Sequence, residues 1–338
     1  MITYPLLRQN ATIGVTAPSS GVQEELHFIL TEAVAKMKNE GFSVVLGETP
    51  WKQHKAKSSS AIERAAELNA MMADKKIDII IPPWGGELLI ELLEHLDFGS
   101  YSDKWLLGYS DTSILLLAVT LATGIATAHG TNLVDVRGEY WDDTTAAWLL
   151  ALRTKTGESI VQQSSSLFQK EWNFETPSPC VFHLTEPTSW KTASGNPSHM
   201  SGRLLGGCID IIRHLAGTPY GDIAAFRQKH IPGEPIVWYF ENCDLRTTDL
   251  KRSLVQLKLA GWFDDCSGLM FGRSATNAPV EDYVIEDVYR DLAEELRVPI
   301  IYDIDCGHVP PQMTFINGAY AEIAVSAGKG TVTQYFRP

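Results

Sequence analysis

Residues Trp105-Leu106-Leu107-Gly108-Tyr109-Ser110-Asp111-Thr112-Ser113 set an apolar strand directly against an apolar helix. The run from Trp105 to Tyr109 reads as the strand and Thr112–Ala122 as the helix. The two meet at Gly-x-Ser, the layout of a nucleophile elbow. Such a turn lifts the serine hydroxyl above the sheet edge. The helix start supplies free N–H groups and a positive dipole end to a developing oxyanion. The usual second glycine, two residues after the serine, is Thr112 here. A second reading of the fragment is that Ser110 and Asp111 only cap the helix. On this fragment both readings stand.

The flanking sequence repeats the strand-to-helix alternation. Thr12–Thr16, Ser43–Leu46 and Ile77–Ile81 read as strands. Val22–Asn39, Ala61–Ala73 and Leu88–Leu96 read as helices, with Gly41 as a stop and Ser59 or Ser60 as a cap. This order predicts an α/β fold with a parallel sheet covered on both faces. Gln162–Ser201 is rich in Ser, Thr, Pro and Asn and reads as a linker or irregular lobe. Beyond it, Gly202–His214 reads as a Gly-rich start into a helix. Pro235–Phe240, Leu269–Arg273 and Ile300–Ile304 read as strands, and Thr248–Gly261 and Ile285–Leu296 as helices. Ala321–Val325 and Thr331–Tyr335 read as a closing hairpin. The expected division is 1–160, a parallel-sheet domain; 161–200, a linker or irregular lobe; and 201–338, a second ordered domain.

A second turn, Pro82-Pro83-Trp84-Gly85-Gly86-Glu87, also ends a strand and opens a helix. Its glycines let backbone amides approach a ligand. In a parallel sheet both turns lie at the carboxyl edge, where ligands bind. An amide of Gly86 paired with that of Asp111 would form an oxyanion hole; a plain tight turn is the alternative. A serine nucleophile needs a base and an orienting acid. His129, at the end of Ala126-Thr127-Ala128-His129, qualifies by position. His308 sits in Gly307-His308-Val309-Pro310-Pro311, a stiff loop at a strand end. Glu241 closes Ile236-Val237-Trp238-Tyr239-Phe240, so burial gives it need of a counter-group, a histidine N–H or Arg246.

Composition narrows the function classes. The 338 residues carry 28 Lys+Arg against 41 Asp+Glu, a net charge of −13, which opposes nucleic-acid and anionic-membrane partners. The most apolar stretch, Ser113–Ala128, is too short and broken to span a bilayer. No signal peptide is evident. Cys180, Cys208, Cys243, Cys266 and Cys306 are odd in number and widely spaced, as in a cytoplasmic protein with reduced thiols and no structural zinc.

Five motifs in order resemble a known family: Gly108-Tyr109-Ser110-Asp111, the Gly85-Gly86 turn, Ser201-Gly202-Arg203-Leu204-Leu205-Gly206-Gly207-Cys208, the strand ending in Glu241, and Gly307-His308. They resemble the LD-carboxypeptidase serine peptidases, and in wording the branch of microcin C self-immunity hydrolases. The resemblance covers nearly the whole chain. It implies Ser110 as nucleophile, Glu241 as orienting acid and His308 as base, with Gly86 and Asp111 main-chain N–H groups as the oxyanion hole. It also implies a parallel-sheet first domain, a mixed second domain, a homodimer, and no metal or cofactor. His129 fits none of its motifs.

The resulting expectation is a metal-free serine hydrolase that cleaves an amide bond of a peptidyl or aminoacyl nucleotide. The alternatives are a murein carboxypeptidase removing a terminal D-amino acid, and a non-catalytic small-molecule binder. Trp172 and Trp190 in the lobe could stack on a nucleobase or be ordinary packing.

Overall fold

A computed structural model describes residues 1–171 and 178–338. The first part runs β1 (Thr12–Val15), α1 (His27–Asn39), β2 (Ser43–Leu46), α2 (Ala61–Ala73), β3 (Ile79–Ile80), β4 (Trp105–Gly108), α3 (Thr112–Thr123), β5 (Thr127–His129) and α4 (Asp143–Arg153). Strands pair in the order β5-β4-β3-β1-β2, all parallel. Burial explains the composition of the central elements. All four residues of β4 and ten of the twelve in α3 are buried, so neither has a polar face. Ser60 caps α2 with a full capping box to Glu63.

The remainder runs β6 (Ser159–Gln163), β7 (Leu167–Phe168), β8 (Glu186–Pro187), β9 (Lys191–Thr192), β10 (Ser198–Cys208), α5 (Ile209–Ile212), α6 (Ile223–His230), β11 (Ile236–Glu241), α7 (Thr247–Leu259), β12 (Cys266–Gly272), α8 (Ile285–Leu296), β13 (Ile300–Ile304), β14 (Phe315–Asn317), β15 (Tyr320–Ser326) and β16 (Lys329–Tyr335). An eight-stranded mixed sheet orders them β6-β16-β15-β10-β11-β12-β13-β9, parallel from β10 to β13. The parallel-sheet first part and mixed-sheet second part are the architecture read from the sequence. Strand β14 leaves the second part to pair antiparallel with β5, matching Phe315 to His129. It locks the two sheets together a few residues beyond His308.

Three segments differ from the sequence reading. Gly202–His214 does not start a helix: its first half is the end of β10, and only Ile209–Ile212 is α-helical. The glycines serve close strand packing, since a Cβ at Gly206 would overlap the carbonyl of Tyr239 in β11. Leu88–Leu96 narrows to a 3-10 helix, Leu89–His95, and Val22–Asn39 opens with a 3-10 turn, Glu24–Leu26. Gln162–Ser201 is less irregular than its composition indicates. It contributes β9 to one edge of the mixed sheet and a β7–β8 pair, while β6 at its start forms the other edge. Trp190 is core, only 2% exposed, with its indole N–H donating to Asp305 Oδ2 at 2.9 Å. It is therefore packing and not a stacking platform; Trp172 lies outside the described residues.

Candidate active site

Ser110 occupies the tight corner between β4 and α3 with φ +64°. A left-handed conformation costs a non-glycine residue roughly 1–2 kcal/mol, so the surrounding structure must enforce it. Gly108 makes the corner possible, because a Cβ there would lie 3.0 Å from Thr112 Cγ2 and 3.1 Å from Asn132 Oδ1. Asp111 does not cap the helix with its side chain. Its buried carboxylate instead accepts hydrogen bonds from Ser19 Oγ and from the Leu89 amide, tying the elbow to the turn that follows Gly86. Burial raises the Asp111 carboxyl above its ordinary range, partly offset by the Ser19 and Leu89 hydrogen bonds.

Three side chains from distant parts of the chain form one relay. His308 Nε2 is 3.0 Å from Ser110 Oγ, and His308 Nδ1 is 2.8 Å from Glu241 Oε2. A carboxylate only accepts, so Nδ1 carries a proton, and in the neutral ring Nε2 accepts from the serine hydroxyl. Glu241 ends β11 and is 1% exposed. Gly307, at φ +96°, lets the His308 loop close on it, since a Cβ there would press on Glu241. Burial alone would lower the imidazole pKa. The Glu241 charge and the hydrogen bonds His308 donates to Cys243 and Glu241 outweigh it and hold His308 well above its usual value. Burial alone would raise Glu241; the charge and hydrogen bond of His308 outweigh that and lower it.

The Gly85-Gly86 turn faces the elbow. A Cβ at Gly85 would stand 2.7 Å from Ser110 Oγ and 3.0 Å from the Asp111 nitrogen, so its absence keeps a volume beside the hydroxyl open. Among the described residues, the amides of Gly86 and Asp111 donate to no other backbone group. Gly86 itself has φ +147°. These groups open onto a cleft of about 390 Å³ that Trp84, Tyr109 and Asn132 also line.

His129 is elsewhere. It is wholly buried, its pKa pushed down to about 4 by desolvation, and it packs edge-on to Tyr239 with Nδ1 3.9 Å from Cys306 Sγ. Glu241 pairs with His308 and not with Arg246, which is exposed at the start of α7. Sequence reading missed Arg273. Its guanidinium meets Asp305 Oδ1 at 2.7 Å and donates to the carbonyls of Val309 and Pro311, so it clamps both ends of the His308 loop. Its one sequence signal is an arginine closing an apolar strand, the same signal that marked Glu241. No group of three His, Cys, Asp or Glu side chains among the described residues is placed to hold a metal ion. No described helix is long and apolar enough to cross a membrane.

Models of two domains match this chain: the LD-carboxypeptidase N-terminal domain over residues 13–130, and the LD-carboxypeptidase C-terminal domain over 201–323. The chain belongs to the LD-carboxypeptidase family. This is a family of serine peptidases. One relative, a Vibrio cholerae protein described as a carboxypeptidase, is 27% identical over 89% of this chain and 88% of its own length. The microcin C7 self-immunity protein MccF of Escherichia coli is 22% identical over 99% and 97%. Among solved structures, MccF in complex with aspartyl sulfamoyl adenosine has a TM-score of 0.80 at 20% identity over 100% of both chains. A muramoyltetrapeptide carboxypeptidase from Oxalobacter formigenes has a TM-score of 0.73 at 19% identity over 97% of this chain and 100% of its own. These last likenesses are of fold.

Proposed function

We propose that the chain is a serine hydrolase acting on an amide bond, with Ser110 as nucleophile, His308 as base and Glu241 as orienting acid. The observation that carries this reading is the continuous Ser110–His308–Glu241 hydrogen-bond relay at a serine held in a left-handed turn. Neutral His308 takes the Ser110 proton as Oγ attacks the carbonyl carbon, and Glu241 stabilises the resulting imidazolium. The carbonyl oxygen gains negative charge and is met by the amides of Gly86 and Asp111. Losing one such donor typically costs ~100–1,000-fold in rate. His308 then protonates the leaving nitrogen, the C–N bond breaks, and an acyl-Ser110 ester remains. Water, deprotonated by His308, releases the acyl group and restores the serine.

The preferred substrate is a peptidyl or aminoacyl nucleotide, the class represented by the aspartyl sulfamoyl adenosine complex of MccF. A second reading, removal of a terminal D-amino acid from a murein peptide, draws on the fold shared with the muramoyltetrapeptide carboxypeptidase. A homodimer in the cytoplasm belongs to the same proposal and is checked by light scattering and fractionation.

A fluorophosphonate probe tests the chemistry. Labelling that disappears in Ser110→Ala supports the hydrolase, whereas folded protein that never labels favours a non-catalytic binder. Separate incubations with aspartyl sulfamoyl adenosine and a murein tetrapeptide, followed by product analysis, choose between the substrate classes.

A further inference from the structure

Beside the Ser110 cleft lies a second depression that the chemistry above does not use. Gln23 and Gln53 wall both. From them the depression extends over about 690 Å³ to Trp51, Glu24, Glu25 and Lys55. Its walls are fastened to each other. The Val22 amide donates to the Pro50 carbonyl at 2.8 Å, and the Gly21 amide to Gln53 Oε1 at 2.8 Å. Glu67 holds the turn that presents Trp51, accepting from the amides of Glu48 at 2.6 Å and Thr49 at 3.2 Å. The depression is thus preformed and does not need a ligand to assemble it.

Trp51 remains 36% exposed. His27 packs edge-on against its ring at 4.9 Å and is itself held by the Val22 carbonyl at 3.0 Å. A large aromatic kept partly in water on a rigid turn offers a stacking surface at little entropic cost. Around it stand the amide of Gln23 and the carboxylates of Glu24 and Glu25, all exposed and without a side-chain hydrogen bond to a described residue. Amide and carboxylate groups beside an indole suit a ring that is apolar on its face and carries hydroxyls at its edge. Two carboxylates against the single ammonium of Lys55 disfavour a phosphate.

We propose that this depression binds a hydroxylated sugar ring carried by the non-reacting part of the substrate cleaved at Ser110. The inference rests on the hydrolase reading of Ser110. Two sources share the chemistry: the pyranose of a muramoyl peptide and the ribose of a nucleoside conjugate.

The test uses full-length Ser110→Ala protein, with and without Trp51→Ala, in calorimetric titrations. One pair of probes is N-acetylmuramoyl tetrapeptide and the sugar-free tetrapeptide. The other is aspartyl sulfamoyl adenosine and aspartyl sulfamide, which lacks the nucleoside. Loss of Trp51 is expected to weaken the sugar-bearing member of one pair by about tenfold and leave its sugar-free member unchanged. The pair that responds names the source. Gln23→Ala, at an exposed position, is expected to weaken the same probe and guards against a folding effect of Trp51→Ala. Equal affinities with and without Trp51, or no binding of any probe, overturn the proposal. So does a changed oligomeric state with unchanged affinity, which would assign Trp51 to a contact between copies. Fluorophosphonate labelling of Trp51→Ala with Ser110 intact should match that of the unaltered protein. If the unaltered protein does not label, the hydrolase reading has failed independently of the sugar subsite.

Discussion

Replacing Gly85 with alanine adds one methyl group directly against the Ser110 side chain. That carbon would lie 2.6 Å from Ser110 Cβ and 2.7 Å from Ser110 Oγ. Carbon atoms rest comfortably at about 3.5–4.0 Å, so one of the two turns must retreat by roughly 1 Å. Ser110 has no slack on its other side, where Oγ is 3.0 Å from His308 Nε2 and the backbone already holds φ +64°. The same methyl group would stand 3.0 Å from the Asp111 nitrogen, inside the volume proposed above for the oxyanion. A misplacement of about 1 Å costs on the order of 100-fold, and a lost oxyanion donor ~100–1,000-fold. We therefore expect kcat/KM and the rate of fluorophosphonate labelling to fall at least about 100-fold. Gly85 does not use the left-handed region, so alanine imposes no backbone penalty beyond overpacking of ~1–3 kcal/mol. The variant should fold, with a lowered melting temperature. Gly99→Ala is the control, because a Cβ there meets only Asp97 Oδ1 at 3.5 Å. Folded Gly85→Ala protein that labels within about threefold of the parent would refute the assignment of this volume to the reacting carbonyl.

Four further outcomes follow from the site. The raised His308 pKa places the ascending limb of kcat/KM above pH 6.5, since only the neutral ring accepts the Ser110 proton; a pH–rate profile checks this. Glu241→Gln removes the charge that raises His308, so that limb should move to lower pH while kcat falls ~1,000–10,000-fold. The pair also links stability to pH: the His308 contribution is complete below about pH 6.5 and is lost as pH rises through its folded value, whereas the Glu241 contribution is present above about pH 4.5 and is lost as pH falls through its lowered value. The melting-temperature gap between the parent and Glu241→Gln should be widest between those limits. Arg273→Met strands buried Asp305 and should cost ~3–5 kcal/mol in denaturant unfolding, with reduced kcat from a loosened His308 loop.

Much of the secondary structure in both halves was legible because its determinants are local. β2, α2, α8 and β13 fall where hydrophobic period, caps and β-branched runs place them. Ser110 announced itself through Gly108 and an abrupt change from strand to helix period, and Glu241 through a carboxylate closing an apolar run. The first half of Gly202–His214 misled because glycines loosen local preference equally toward turn and strand. Only the close approach of β11 to Gly206 made it a strand. Trp190 and Arg273 were illegible for a related reason. Each is placed by Asp305, a residue far from it in sequence whose burial no local pattern records.

The sequence by itself determined the two-part α/β plan, the elbow, the glycine turn opposite it, and a short set of possible acids and bases. Strand pattern alone could not choose His308 over His129, because both follow apolar strands and a strand end specifies a sheet edge but not a direction; only the resemblance of the Gly307-His308 motif favoured His308. Tertiary structure made that choice. Pairing of β14 with β5 buries His129 in the seam between the sheets, while the Arg273–Asp305 clamp and Gly307 hold His308 between Glu241 and Ser110. The physical reason is distance along the chain. A relay whose members are 67 and 198 residues apart is set by the packing of two sheets, and no window of sequence contains it.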